Sequence, residues 1–227
     1  MYELSELRPS IRRQINQAVI PDRFVGLTFE DLKSYDGEPK IIIQKWIDLV
    51  LAGEIIKAKG SNKCGKGLLL VGKPGHGKTT LASVVLQEVL RKADPILWGS
   101  ADISVKNPAL FVDYPKLLRM QQRSWKDQDS SEAYLMEQIY GDVSGHDNIS
   151  LLVLDDLGKE HRTASGWAES TFDAVLRSRY NAGLPTIVTT NVPLKNWGDV
   201  YGEAMESFAH EAFIPINVVS TEGDRRK

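Results

Sequence analysis

The chain has 227 residues, 28 Lys and Arg against 30 Asp and Glu, and 42% hydrophobic residues, a composition that fits one globular domain and needs no disulfide staples. Its formal charge of −2 leaves any nucleic-acid binding to a local basic surface. The one cysteine, Cys64, cannot form an internal bridge. There is no zinc-type cluster, membrane-length apolar run or export signal, so a cytoplasmic chain with no membrane attachment is expected.

Leu4, Leu7, Ile11, Ile15 and Ala18 or Val19 recur three to four apart, with Arg8, Arg12 and Arg13 between them, which predicts an amphipathic helix over 4–19 that Pro21 ends. Two roles stay open for it: packing on its own domain, or docking a partner protein. The spacing predicts a second, core-packed helix over 40–59. From Gly67 onward, strand-length apolar runs at 68–71, 110–112, 151–154, 186–189 and 214–219 alternate with helical patterns at 78–91, 114–125, 131–140, 165–181 and 200–213. That alternation predicts a parallel sheet covered by helices. Residues 93–108, with Pro95, Gly99 and Pro108, read as an inserted loop or hairpin.

Gly72-Lys-Pro74-Gly75-His76-Gly77-Lys78-Thr79 fits the G-x-x-x-x-G-K-S/T spacing and sits between a predicted strand and a predicted helix. The glycines permit a tight turn whose N–H groups converge on phosphate oxygens. The helix start at Thr79 and Thr80 adds positive potential, and Lys78 reaches the outer phosphates. Thr79 is the expected Mg²⁺ ligand. Downstream, Leu151-Leu-Val-Leu-Asp155-Asp156-Leu-Gly158 ends an apolar strand in two acids. Adjacent buried carboxylates need a compensating cation, so Asp155 is expected to hold Mg²⁺ through water and Asp156 to position or deprotonate an attacking water. A helix N-cap pair is the plainer alternative. The run Pro185-Thr-Ile-Val-Thr-Thr190-Asn191 predicts a strand whose tip lies near the γ-phosphate. There Asn191 either orients the water or is a turn residue.

With these elements in this order, the chain resembles the AAA+ ATPases of the DnaC helicase-loader and IstB transposition-ATPase group over roughly residues 21–220. Further matches are Ile20-Pro-Asp-Arg-Phe, Thr28-Phe-Glu-Asp-Leu, and Arg179-Tyr180 followed by Gly-Leu-Pro-Thr-Ile-Val-Thr-Thr-Asn. The resemblance implies an ASCE-type P-loop fold with little or no C-terminal lid, built as a helical arm at 1–22 and an ATPase core at 23–227. It also implies ATP and Mg²⁺ as cofactors, ATP-dependent self-association, and work on a protein at DNA. The reading it favours is a DnaC-like loader acting on a replicative helicase and single-stranded DNA. The alternatives are an IstB-like ATPase acting on double-stranded DNA and a slow-hydrolysing, nucleotide-gated adaptor. A small-molecule P-loop kinase fits the tandem acids poorly.

The sequence departs from that group in two places. Where the group presents arginines to a neighbouring subunit's nucleotide, this chain has Gly202-Glu-Ala204-Met-Glu-Ser-Phe208-Ala. Arg177, Arg179 or His210 is then the substitute, or Arg177 and Arg179 lie on a solvated helix face; Arg225 and Arg226 fall near a late sensor position. The second departure is the N-terminal segment, shorter than the helicase-binding domain of full-length loaders. For DNA, the 114–125 helix gathers Lys116, Arg119, Arg123, Trp125 and Lys126, which suit a single-stranded backbone and its bases or an ordinary solvated face. Lys106 would extend that surface.

Overall fold

The computed structural model describes residues 1–32, 37–56, 64–98, 108–143, 148–158 and 166–219. Among them, β1 (Gly67–Val71), β2 (Ala109–Asp113), β3 (Leu151–Leu157), β4 (Thr186–Thr190) and β5 (Phe213–Asn217) form one parallel sheet in the order β2-β3-β4-β1-β5. Parallel strands need crossovers, and helices supply them on both faces. Alternate residues of β1 therefore enter different cores. Leu68 and Leu70 pack with α1 (Pro9–Gln17), α2 (Glu38–Leu51) and α3 (Lys78–Lys92). Leu69 and Val71 pack with α4 (Tyr114–Lys126), α5 (Ser131–Tyr140), α6 (Trp167–Asn181), α7 (Trp197–Tyr201) and α8 (Glu203–Ala212). Burial on both faces explains why the strands read as unbroken apolar runs.

Several boundaries differ from the periodicity, each for a local reason. The 4–19 pattern splits into a short 3₁₀ turn and α1, which begins at Pro9; proline favours the first helical turn because that position needs no N–H donor. The 40–59 pattern yields α2, which ends at Leu51, while 57–59 lie outside the described residues. The 200–213 pattern breaks into α7 and α8 at Gly202, whose φ of 91° is incompatible with continued helix. Pro95–Trp98 forms a 3₁₀ turn; residues 99–107, and Lys106 with them, lie outside the described residues, as do Arg225 and Arg226.

The N-terminal segment lies against α3 and the edge strand β2. Ile15 and Ala18 are buried, and the Phe111 N–H donates to the Ala18 carbonyl at 2.7 Å. The buried Gln87 of α3 completes this junction. Its Oε1 accepts from the Tyr2 hydroxyl and the Gly26 N–H, each at 2.8 Å, and its amide donates to the carbonyls of Phe24 and Ser83 at 2.9 and 3.0 Å. A buried amide costs little when donors and acceptor are all engaged.

Arg179 corrects the expectation of a solvated cation on α6. It is fully buried, and its guanidinium donates to the carbonyls of Ile139, Ile149, Pro185 and Ser150 at 2.7, 2.9, 3.1 and 3.4 Å and to Thr186 Oγ1 at 2.9 Å. Burial lowers its pKa to about 9, so it remains a cation at neutral pH. It fastens the end of α5 and the segments entering β3 and β4 to α6.

Candidate nucleotide site

The loop from β1 to α3 turns through Gly75 and Gly77, with φ of 80° and 84°, in the left-handed region that only glycine enters at no steric cost. Gly77 caps α3, so the helix starts with N–H groups directed into the turn. Lys78 is almost fully buried. Its ammonium donates to the carbonyls of Gly72 and Lys73 at 2.8 and 3.0 Å and to Asn191 Oδ1 at 2.6 Å. Register explains the last contact: β1 and β4 are neighbours with Val71 opposite Thr190, so the residue after β4 meets the loop after β1.

Pro74, Gly75, Gly77, Lys78, Thr79, Thr80, Asp156 and Asn191 line one cavity of about 220 Å³ together with Arg23 and Phe24. Gly72 and His76 stand outside that lining. Gly72 contributes its carbonyl to Lys78, and His76 Nδ1 lies 3.3 Å from the Val218 carbonyl. Arg23 and Phe24 are the residues that the motif reading missed; they entered it only as part of a family match. Their signal was the Pro21 break, which turns the chain off α1 into a 3₁₀ turn over the loop.

Both aspartates lie within β3. Asp155 is buried, and Thr79 Oγ1 donates to its two oxygens at 3.1 and 3.2 Å. Asp156 has a φ of 61°, and β3 slips its register against β4 between Leu154 and Leu157. In a regular strand, adjacent side chains point to opposite faces. The slip instead lets both aspartates line a second cavity of about 200 Å³ with Thr79, Asp113, Lys116 and Arg23. Neither residue caps a helix among the described residues: the next one, α6, is capped at Gly166.

These residues fit a nucleotide with its metal. A cradle of left-handed glycines and a helix start suits phosphate, and Lys78 already holds three oxygen acceptors. No cluster of three His, Cys, Asp or Glu metal ligands occurs among the described residues. Mg²⁺ at phosphates needs none, since one or two protein oxygens with phosphate and water complete its shell; Thr79 and Asp155 would supply them.

On α4, Lys116, Arg119 and Arg123 line an open groove of about 450 Å³ with Met120 and, from α5, Ser131, Glu132 and Leu135. Arg119 lies 4.0 Å from Asp113 and Arg123 3.6 Å from Glu132, exposed pairs that hold these side chains weakly. Lys126 is exposed at the helix end, outside the groove. Trp125 is exposed and meets Trp167 edge to face, ring centroids 5.6 Å apart. On α6, the Arg177 guanidinium pairs with Asp173 at 2.7 Å, lies 4.4 Å from the Phe208 ring centroid and donates to the Ala204 carbonyl at 3.4 Å. Ala204 and Phe208 are the two positions at which the resemblance implies arginines. His210 is exposed on α8.

A glycine loop and lysine between parallel strand β1 and its helix, a carboxylate pair near the end of β3 two places away in the sheet, and a polar residue following β4, the strand between them, define a P-loop NTPase of the AAA+ class. The chain belongs to the NB-ARC domain family, whose model matches residues 52–191. It is 24% identical over 196 residues to the replicative helicase loader DnaI of Bacillus subtilis, covering 84% of this chain and 53% of that one. It thus spans about half the length of that curated relative. Among solved structures, the DnaC helicase loader superposes with a TM-score of 0.58 at 22% identity, over 87% of this chain and 99% of that one. The replication initiator DnaA bound to AMPPCP and single-stranded DNA superposes with a TM-score of 0.59 at 13% identity, over 91% of this chain and 53% of that one. No helix among the described residues is long and apolar enough to cross a membrane.

Proposed function

We propose that this chain is an ATP-dependent, DnaC-like loader that binds a replicative helicase and single-stranded DNA. The similarity to a replicative helicase loader along 84% of the chain carries the reading. In it, the glycine loop and Lys78 hold the phosphates, Asn191 orients the attacking water and Asp156 takes its proton. Thr79 and, through water, Asp155 would hold Mg²⁺, which when bound would supply charge neutralisation at the phosphates. Hydrolysis is completed between subunits of an ATP-dependent oligomer. Arg179 is enclosed in the core, which leaves Arg177, paired with Asp173 and lying over Phe208, or the exposed His210 as the cation offered to a neighbour's nucleotide. The groove between α4 and α5 takes the strand, its cations meeting phosphates and Trp125 a base.

Lys78→Ala tests the nucleotide assignment. Loss of a charge-assisted phosphate contact worth about 3 kcal/mol predicts affinity for fluorescent ATP lower by about 10²-fold. Unchanged affinity would remove the phosphate-cradle assignment. The Arg119→Ala, Arg123→Ala double variant tests the DNA face. Losing two phosphate contacts should weaken single-strand binding and flatten the slope of log K against log salt by about 1.4. Wild-type binding in that variant would place the strand elsewhere, and a preference of the native chain for double strands would favour an IstB-like activity.

A further inference from the structure

The carboxylate pair is held by a residue on the neighbouring strand. Strands β3 and β4 pair Leu154 with Val188 and next Leu157 with Thr190. Two residues, Asp155 and Asp156, therefore oppose one, Thr189, and the extra residue makes a bulge of a kind rare between parallel strands. Thr189 is fully buried. Its hydroxyl donates to Asp155 Oδ1 at 2.6 Å, and the same oxygen accepts the Asp156 N–H at 2.9 Å. Thr190 secures the far side: its hydroxyl donates to the Leu157 carbonyl at 2.9 Å and accepts from the Val192 N–H at 3.0 Å. Between these anchors Asp156 takes a φ of 61°, which a non-glycine residue keeps only where its surroundings impose it.

We propose that Thr189 is the positioning residue of the site, its single hydroxyl fixing the direction of the Asp155 carboxylate and the backbone turn that aims Asp156 into the cavity. The inference rests on reading the chain as an ATPase. Thr189 lines neither cavity, so it acts on the reaction only through the two aspartates. The hydroxyl's dual use is what matters: valine reproduces the shape and β-branching of threonine but offers neither the donor nor the acceptor, whereas serine offers both.

The experiment compares wild type, Thr189→Val and Thr189→Ser for steady-state ATP turnover with Mg²⁺, for binding of fluorescent ADP and for thermal melting. Thr189→Val should lower kcat by about 10- to 100-fold, as loss of a supporting hydrogen bond to a metal-ligating group does. Its nucleotide affinity and KM should stay near wild type, and Thr189→Ser should regain most of the turnover. Should the valine variant not fold, Thr189→Ala against Thr189→Ser decides, since both lose the methyl and only serine keeps the hydroxyl. Turnover unchanged by loss of the hydroxyl overturns this inference alone, as does a parallel loss of affinity and turnover, which marks a purely structural role. A wild-type chain that binds ATP and never hydrolyses it overturns the proposed function and this inference with it.

Discussion

Asp156→Asn should leave ATP bound and unhydrolysed. The substitution preserves size, and asparagine tolerates the left-handed backbone as well as aspartate does, so the φ of 61° at this position is retained and the bulge keeps its form. What is lost is a carboxylate able to take a proton from water. Removal of a positioned general base predicts a turnover lower by about 10²–10⁴-fold, with nucleotide affinity little changed because Lys78 and the glycine loop are untouched. Phosphate release measured beside fluorescent-nucleotide binding separates the two quantities. Turnover at the wild-type rate would show that Asp156 serves the backbone of the bulge and not the chemistry.

The largest effect on stability is expected at Arg179, which lines neither cavity of the candidate nucleotide site. Arg179→Met fills much of the same volume but strips the donors from four carbonyls and from Thr186 Oγ1. Buried acceptors left without partners cost about 1–3 kcal/mol each, partly offset because a buried cation no longer has to be desolvated. A net loss of ~3 kcal/mol is expected, or a melting temperature lower by about 6–12 °C for a chain of this size. Arg179→Lys should recover only part of it, because an ammonium has three donors and no planar fork. Calorimetry reads the difference directly, and a methionine variant that melts with wild type would mean that these carbonyls find other donors.

The same residue shows where the sequence was legible and where it was misread. The β1 run was plain, since a strand buried on both faces must be apolar throughout, and the glycine and lysine spacing after it marked the turn between β1 and α3. The charge of Arg179 suggests a surface position, whether on a solvated helix face or offered to a neighbouring subunit, and the structure places it in the core. Yet Phe172, Val175, Leu176 and Arg179 follow one helical stripe, and the first three are core residues, so periodicity had placed the arginine inside. The bulge at Asp156 had a subtler sign. Two adjacent residues of a strand reach one cavity only if the strand breaks its alternation, so assigning both aspartates to one site already required an irregular strand. The break at Gly202 was readable as glycine within a helical pattern, and the apolar period across it concealed the turn. The closeness of Arg177 to Phe208 and Ala204 had no such sign, because it depends on how α6 and α8 pack.

The central claim is a nucleotide-dependent complex with a replicative helicase. Light scattering behind size exclusion, with the chain and the replicative helicase of its source mixed with and without ATP and Mg²⁺, tests it most directly. The account predicts co-elution, at a mass equal to the helicase assembly plus bound chains, that changes with nucleotide. If the two elute apart under every nucleotide condition, while the chain alone binds ATP and assembles on DNA, the loader assignment is contradicted and the P-loop site serves another partner.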